Sequence, residues 1–442
     1  MAIAKMAPES LQPLLDRLDD ARKRTDALFA LIRSETLYER PIPERHRLIF
    51  YLGHLEAFDW NLIARDALHS PSFDAEYDKL FAFGIDPVDG QLPHDVPSDW
   101  PRIEQIRAYN QNLRERIDNA LQAPPSKLPE TVADGTLLHV AIEHRLMHAE
   151  TLAYLMHGLP HDQKSAPTNY ETAVQSKAPF TAERTAIPAG TATLGMQRES
   201  RHFGWDNEFE ENQVTVPKFR IGAYPVTNGE FVEFLQAGGY ENERLWSAED
   251  WAWKNSAKIS HPHFWEQNGR GWSYRGMFAN VPLPLDWPAY VSHAEASTYA
   301  RWRNGALPTE AQWHRAAFGT PAEIECAYPW GDVAPSAERG NFDFARWDPA
   351  PVNAYPAGQS AFGVHDLLGN GWEWTSTRFA PFPGFAAFPF YPGYSANFFD
   401  GKHFVMKGGS LSTAACMLRR SFRNWFQPHY PYVYAKFRMV EE

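Results

Sequence analysis

The chain has 442 residues, 44% of them hydrophobic and 22% charged, with a formal net charge of -12 and two cysteines, Cys326 and Cys416. That length exceeds what one core organises, the apolar content excludes intrinsic disorder, and two cysteines exclude a disulfide framework or a cysteine-built zinc site. Negative charge without a compensating Lys/Arg run argues against nucleic acid as a partner. No run of 18 apolar residues occurs and the N-terminus lacks a signal-type apolar core, so no membrane partner and a cytoplasmic location are expected.

Helix-period segments fill residues 1–160. In PESLQPLLDRLDDARKRTDALFALIR, Leu14, Leu18, Ala21, Leu28 and Ile32 keep to one face at helical spacing. RHRLIFYLGHLEAFDWNLIARDAL, DWPRIEQIRAYNQNLRERIDNAL and DGTLLHVAIEHRLMHAETLAYLMHGL repeat the behaviour, and the last stops at Gly158 and Pro160 as helices do. Four such helices predict a four-helix bundle. Residues 161–184 are polar and aperiodic, which predicts a linker. Residues 185–442 then change character, with short apolar runs, many Gly and Pro, and dense Trp. Short strands, few helices and irregular loops held by aromatic packing are expected there, giving an α+β multidomain chain.

The chemistry is carried by histidines. Seventeen in 442 positions give roughly 0.65 chance pairs at a spacing of four. Two pairs occur. His157 and His161 span Gly158 and Pro160, which end the helix and destroy any shared face. His144 and His148 lie mid-helix, where residues four apart can reach one ion. Taken alone they are either metal ligands or two hydrogen-bonded polar residues. His54 adds a third candidate, because Phe50 and Phe58 flank it one turn away on either side and aim it at a packed interior. Three histidines from two helices would hold one side of an ion and leave the other open, which suits a catalytic site. Glu150, two residues past His148, falls on nearly the opposite side of the helix and is not expected as a ligand.

His54 followed by HRLMHAE resembles the iron site of the ergothioneine sulfoxide synthases and the related selenoneine synthases, whose first domain is a DinB-like helical bundle. Their second domain has the formylglycine-generating-enzyme fold, related to C-type lectins. The second half here is similar to it in IPAG at Ile187 to Gly190, GWDNE at Gly204 to Glu208, LPTEAQWHRAAFG, GNGWEW and KGGS. The resemblance implies Fe(II) held by His54, His144 and His148, and a reaction that uses O2 to join a chalcogen donor to C2 of the imidazole of hercynine. It implies that Asn424 and Trp425 hold the hercynine carboxylate and quaternary ammonium. By the same resemblance Tyr391 or Tyr394 is a proton or electron donor, and Arg420 or Arg423 faces an anionic donor group. Asp366 and Glu373, with the carbonyls of Gly369 and Gly371, match a calcium loop of the formylglycine-generating enzymes.

Two departures bear on the donor. In the branch that uses gamma-glutamylcysteine, charged residues follow the Asn-Trp pair; Phe426 and Tyr430 stand here instead. Met147 stands where a glutamine is common and cannot hydrogen-bond to an imidazole in that way. These departures disfavour gamma-glutamylcysteine. FPGFAAFPFYPGYSANFFDGKH and NWFQPHYPYVYAKFR resemble the cysteine-using fungal type and the stand-alone selenoneine synthases, and with the lack of a methyltransferase segment this resemblance implies a selenosugar donor, with cysteine as the alternative. The rival expectation is a zinc DinB-type thiol transferase or hydrolase with a lectin-like accessory domain. Formylglycine generation is disfavoured, because it needs two closely spaced cysteines and Cys416 stands alone.

Overall fold

A computed structural model describes residues 11–82, 93–122, 128–168, 170–171, 183–200, 202–269 and 271–441. The chain divides into two compact units, Met1–Thr168 with Glu199–Phe203, and Asn169–Arg198 with Gly204–Glu442.

The first unit is helical. Helix α1 (Gln12–Ala30) carries a proline in its first turn, where the missing N–H is no loss. Helix α2 (Leu48–Asp59) runs on through a wider π-helical stretch, Trp60–Ala67. After the short α3 (Ala75–Leu80), capped by the Asp74 carboxylate on the Tyr77 N–H, come α4 (Ile103–Leu121), α5 (Glu130–Ala133) and α6 (Thr136–Gly158). Helix α4 buries Ile106, Tyr109, Leu113 and Ile117, one stripe at helical spacing. Helices α2 and α6 are buried on nearly every side, as befits the central pair of a bundle. Helix α6 packs on α1 and α2, and α2 packs on α4. Ion pairs Arg22–Asp118 (2.8 Å) and Arg114–Asp26 (2.7 Å) close the ring between α1 and α4.

The start of the expected linker belongs to this unit. His161–Gln163 forms a single turn, Lys164 bridges Ile32, and its Nζ donates to the Met156 carbonyl at 2.6 Å. Much of the rest, residues 172–182, lies outside the described residues.

The second unit is built from short strands. They are β1 (Arg184–Ile187), β2 (Gly190–Leu194), β3 (Asn212–Val216), β4 (Phe219–Gly222), β5 (Trp265–Gln267), β6 (Trp272–Arg275), β7 (Asn280–Pro282), β8 (Trp372–Arg378), β9 (Phe404–Lys407), β10 (Asn424–Phe426), β11 (Ala435–Lys436) and β12 (Val440–Glu441). Four helices interrupt them: α7 (Asn228–Gln236), α8 (Ala248–Ser256), α9 (His293–Trp302) and α10 (Glu310–Phe318). The first residues of α7, α9 and α10 are fixed by capping boxes from Thr227, Ser292 and Thr309. Ile187, Ile221, Trp313, Phe318, Leu367 and Val440 pack in one core. The sheet ordered β10-β9-β8-β11 matters most for function. Its antiparallel edge sets Trp425 opposite Val405, and its parallel edge sets Lys436 opposite Glu373.

Candidate functional site

In the first unit, the one group of three metal-ligating side chains among the described residues is His54, His144 and His148, with ligand atoms all within 4.8 Å of one another. Each ring has a physical cause for its pose. His144 and His148 are one turn apart on α6, and their Nε2 atoms face each other at 3.1 Å. His54 comes from α2 and its Nδ1 meets the Phe81 carbonyl at 2.6 Å. That carbonyl accepts, so Nδ1 carries the proton and the Nε2 lone pair is the one directed at the other two rings. Gly53 makes the arrangement possible: a Cβ there would lie 2.5 Å from the Phe81 ring, so only glycine lets Phe81 rest on α2.

Aromatic walls enclose the imidazoles. Phe58 stacks on His144 at 3.4 Å and Phe50 on His54 at 4.8 Å. All three histidines are buried, and burial is the main reason their pKa values fall. His54 drops to about 4, and His144 and His148 fall well below the ordinary range, each pushed further by a neighbouring imidazole. Neutral imidazoles with converging lone pairs are what a cation requires. Bonds of about 2.1 Å at right angles would place two donor nitrogens about 3.0 Å apart, which the His144–His148 separation of 3.1 Å matches. The residues present therefore fit a facially bound metal with open positions on its far side.

Sequence reasoning missed the support beneath this site. Arg145, next to His144, is buried; it donates to both carboxylate oxygens of Glu56 at 2.9 and 3.0 Å and to Asp59 at 2.7 Å. Arg114 of α4 donates to Glu56 at 2.6 Å. Burial pushes the Glu56 carboxyl up, but the two arginines outweigh it and hold it at about 2. This network ties α2, α4 and α6 together within two residues of His54 and His144. The signal was visible as Glu56, Asp59 and Arg145 within otherwise apolar helical text.

In the second unit, Asn424 and Trp425 form β10 at the sheet edge and are half-buried. The Trp425 ring stacks on Phe379 at 4.2 Å, with Tyr394 at 5.5 Å and Phe398 at 5.5 Å. Asn424 Oδ1 accepts from the Trp425 N–H at 2.9 Å, which fixes the amide and leaves Nδ2 as its donating end. Tyr394 is buried on the Trp205 ring at 3.9 Å; Tyr391 is half-buried, 5.6 Å from Tyr394. The structure thus gathers Tyr391, Tyr394, Asn424 and Trp425 into one cluster. The GWDNE segment holds it: Trp205 carries Tyr394, Asp206 accepts from the Ser395 hydroxyl, and Glu208 accepts from Ser421 at 2.6 Å.

Two expectations, Arg423 and calcium, are corrected, and Arg420 has an ion-pair partner within the protein. Arg423 does not face a donor group, because its buried guanidinium grips both oxygens of Glu310 at 3.0 and 3.1 Å and packs over Phe382. Arg420 is paired with Glu325 at 2.9 Å, and Glu325 also accepts from the Thr193 N–H. Calcium at Asp366, Gly369, Gly371 and Glu373 does not fit. Glu373 is filled by two 2.6 Å bonds from Arg438, and the Lys436 ammonium sits between Asp366 and the Gly369 carbonyl.

A model of the DinB superfamily matches residues 17–152 and one of the sulfatase-modifying factor enzyme 1-like domain matches residues 170–442. Over 433 residues the chain is 34% identical to the hercynine oxygenase of Mycolicibacterium smegmatis, covering 94% of this chain and 96% of that protein. The chain belongs to the hercynine oxygenase family. The Mycobacterium tuberculosis hercynine oxygenase is 36% identical over 353 residues, 76% of this family member and 77% of its relative. Ergothioneine biosynthesis protein 1 of Neurospora crassa is 29% identical over 93% of this hercynine oxygenase family member, which spans 56% of the longer fungal protein. Membership makes the chain an enzyme of an oxygenase family with an α+β architecture, a DinB bundle followed by a sulfatase-modifying-factor-like domain.

Proposed function

We propose that the chain is a non-heme Fe(II)- and O2-dependent synthase that joins a chalcogen to C2 of the hercynine imidazole, with a selenosugar as donor and cysteine as the close alternative. The observation that carries this reading is the convergence of three buried, neutral imidazoles from two helices. Fe(II) held by His54, His144 and His148 would supply the activation of O2, chemistry that zinc in the same ligands does not offer.

The chain's own residues do the rest. The Arg145–Glu56 network ties the ligand helices together, so the imidazoles keep their spacing. The Trp425 face attracts a quaternary ammonium, worth about 0.5 to 2 kcal/mol. The Asn424 amide donates from Nδ2 to a carboxylate. Tyr391, the more exposed member of the tyrosine pair, is the candidate to deliver a proton, and Tyr394 braces it. Phe426 and Tyr430 stack on each other at 5.2 Å. Such an uncharged aromatic face cannot pair with the ionic ends of gamma-glutamylcysteine, which favours an uncharged donor body.

The test reconstitutes the full chain anaerobically with Fe(II) and follows O2 uptake with hercynine and a donor. Uptake that needs both iron and hercynine is expected, with none for the zinc form; activity with zinc and no O2 consumption would establish the rival thiol transferase or hydrolase. Competing a selenosugar against cysteine, with mass-spectrometric readout, should give mainly the selenium product. A sulfur product alone would remove the selenosugar and leave the hercynine reading standing.

A further inference from the structure

The loop from Asp366 to Glu373 is shaped to gather oxygens around a cation. Asp366, Gly369, Asn370 and Gly371 all have positive φ, at 55°, 82°, 57° and 122°, and within this winding the Asp366 and Gly369 carbonyls face one point. What stands at the centre is an ammonium. Lys436 Nζ donates to the Asp366 carbonyl at 2.5 Å, to Asp366 Oδ2 at 2.9 Å and to the Gly369 carbonyl at 2.8 Å. An ammonium has three N–H donors, and all three are used. Its aliphatic stem lies against Gly371, where an added Cβ would come within 3.3 Å of Lys436 Cγ and Cδ.

The second carboxylate of the loop is treated the same way. Arg438, two residues further along and so on the same face of the extended chain, takes both oxygens of Glu373 at 2.6 Å. The Trp313 indole N–H adds a third bond to Glu373 at 2.9 Å. Parallel pairing of β11 with β8, in the register Lys436 to Glu373, delivers both cations to the loop. A calcium ion needs six to eight oxygens at about 2.3 to 2.6 Å. Here three oxygens converge, a positive charge already lies among them, and the other carboxylate is occupied.

We propose that Lys436, with Arg438, is a built-in replacement for a metal ion at this loop, so that the second unit folds and holds the Asn424–Trp425 edge without calcium. Burial pushes the Asp366 carboxyl up to about 6 even beside this ammonium, so the site is costly to leave without its cation. Asn370 adds a bond to Asp366 Oδ2 at 3.0 Å, so that oxygen already has two donors.

The test has two arms on the full chain. Wild-type protein exposed to calcium chloride and desalted should retain no stoichiometric calcium by elemental analysis, and its Tm in calcium and in EGTA should coincide. One retained calcium per chain with a Tm that falls in EGTA overturns the proposal. In the second arm Lys436→Ala removes the ammonium and opens the oxygen cradle to solvent. Its Tm should fall by roughly 10 °C, because a buried carboxylate loses its partner, and millimolar calcium should recover part of that loss. An unchanged Tm in the variant overturns the proposal, as does a loss that calcium does not touch. Should the variant fail to fold, the wild-type arm decides by itself.

Discussion

The two units place functional side chains by opposite means. In the helical unit the three histidines sit on regular, largely buried helices, where one turn of α6 fixes the spacing of His144 and His148 and packing fixes the rest. In the second unit Trp425, Tyr391 and Tyr394 sit on a short edge strand and a loop, and acids far away in the chain hold them. Glu310 anchors Arg423 across 113 residues, and Glu208 anchors Ser421 across 213. A regular scaffold writes its geometry into sequence spacing. An irregular one writes it into long-range pairs.

Breaking the support beneath the helical site should have the largest effect. Arg145→Met leaves the buried Glu56 and Asp59 carboxylates without their main cation, at a cost of about 3 to 5 kcal/mol. The Tm should fall by about 10 °C, measured by calorimetry on the iron-free chain; a shift of only a degree or two would mean that packing alone holds α2 and α6. Next comes His148→Ala. Metal affinity should drop by more than the roughly 10- to 100-fold that follows loss of an outer-shell partner, while circular dichroism stays that of the parent. Unchanged iron occupancy in a titration would remove His148 from the ligand set. The smallest effect belongs to the loop-held site. Trp425→Ala should raise the hercynine KM by about 2- to 30-fold, the range a cation–π contact spans, with little change in Tm. A collapse in Tm at constant KM would make the ring part of the core instead.

The same contrast explains what the sequence revealed. The four long helices were legible because apolar residues recur with helical period, and His54 was legible because Phe50 and Phe58 flank it. Asp366 and Glu373 could be read as calcium ligands in the sequence because their neutralising partners, Lys436 and Arg438, lie 70 and 65 residues away. Arg420 and Arg423 looked available for a ligand for the same reason: Glu325 and Glu310 are 95 and 113 residues away in the chain. The role of the GWDNE acids was equally hidden, since only folding brings Asp206 to Ser395.

The Phe81 carbonyl and the ring stacks on His54 and His144 bear on the order of folding and metal loading. Rotamer freedom of these imidazoles is lost when the bundle packs, not when an ion arrives. A metal-free chain that folds to this arrangement is the expected outcome, unlike small domains whose chain collapses only around its metal. On the proposed reading, loading of the metal is a late, separable event, so a chelator should silence the enzyme without melting it.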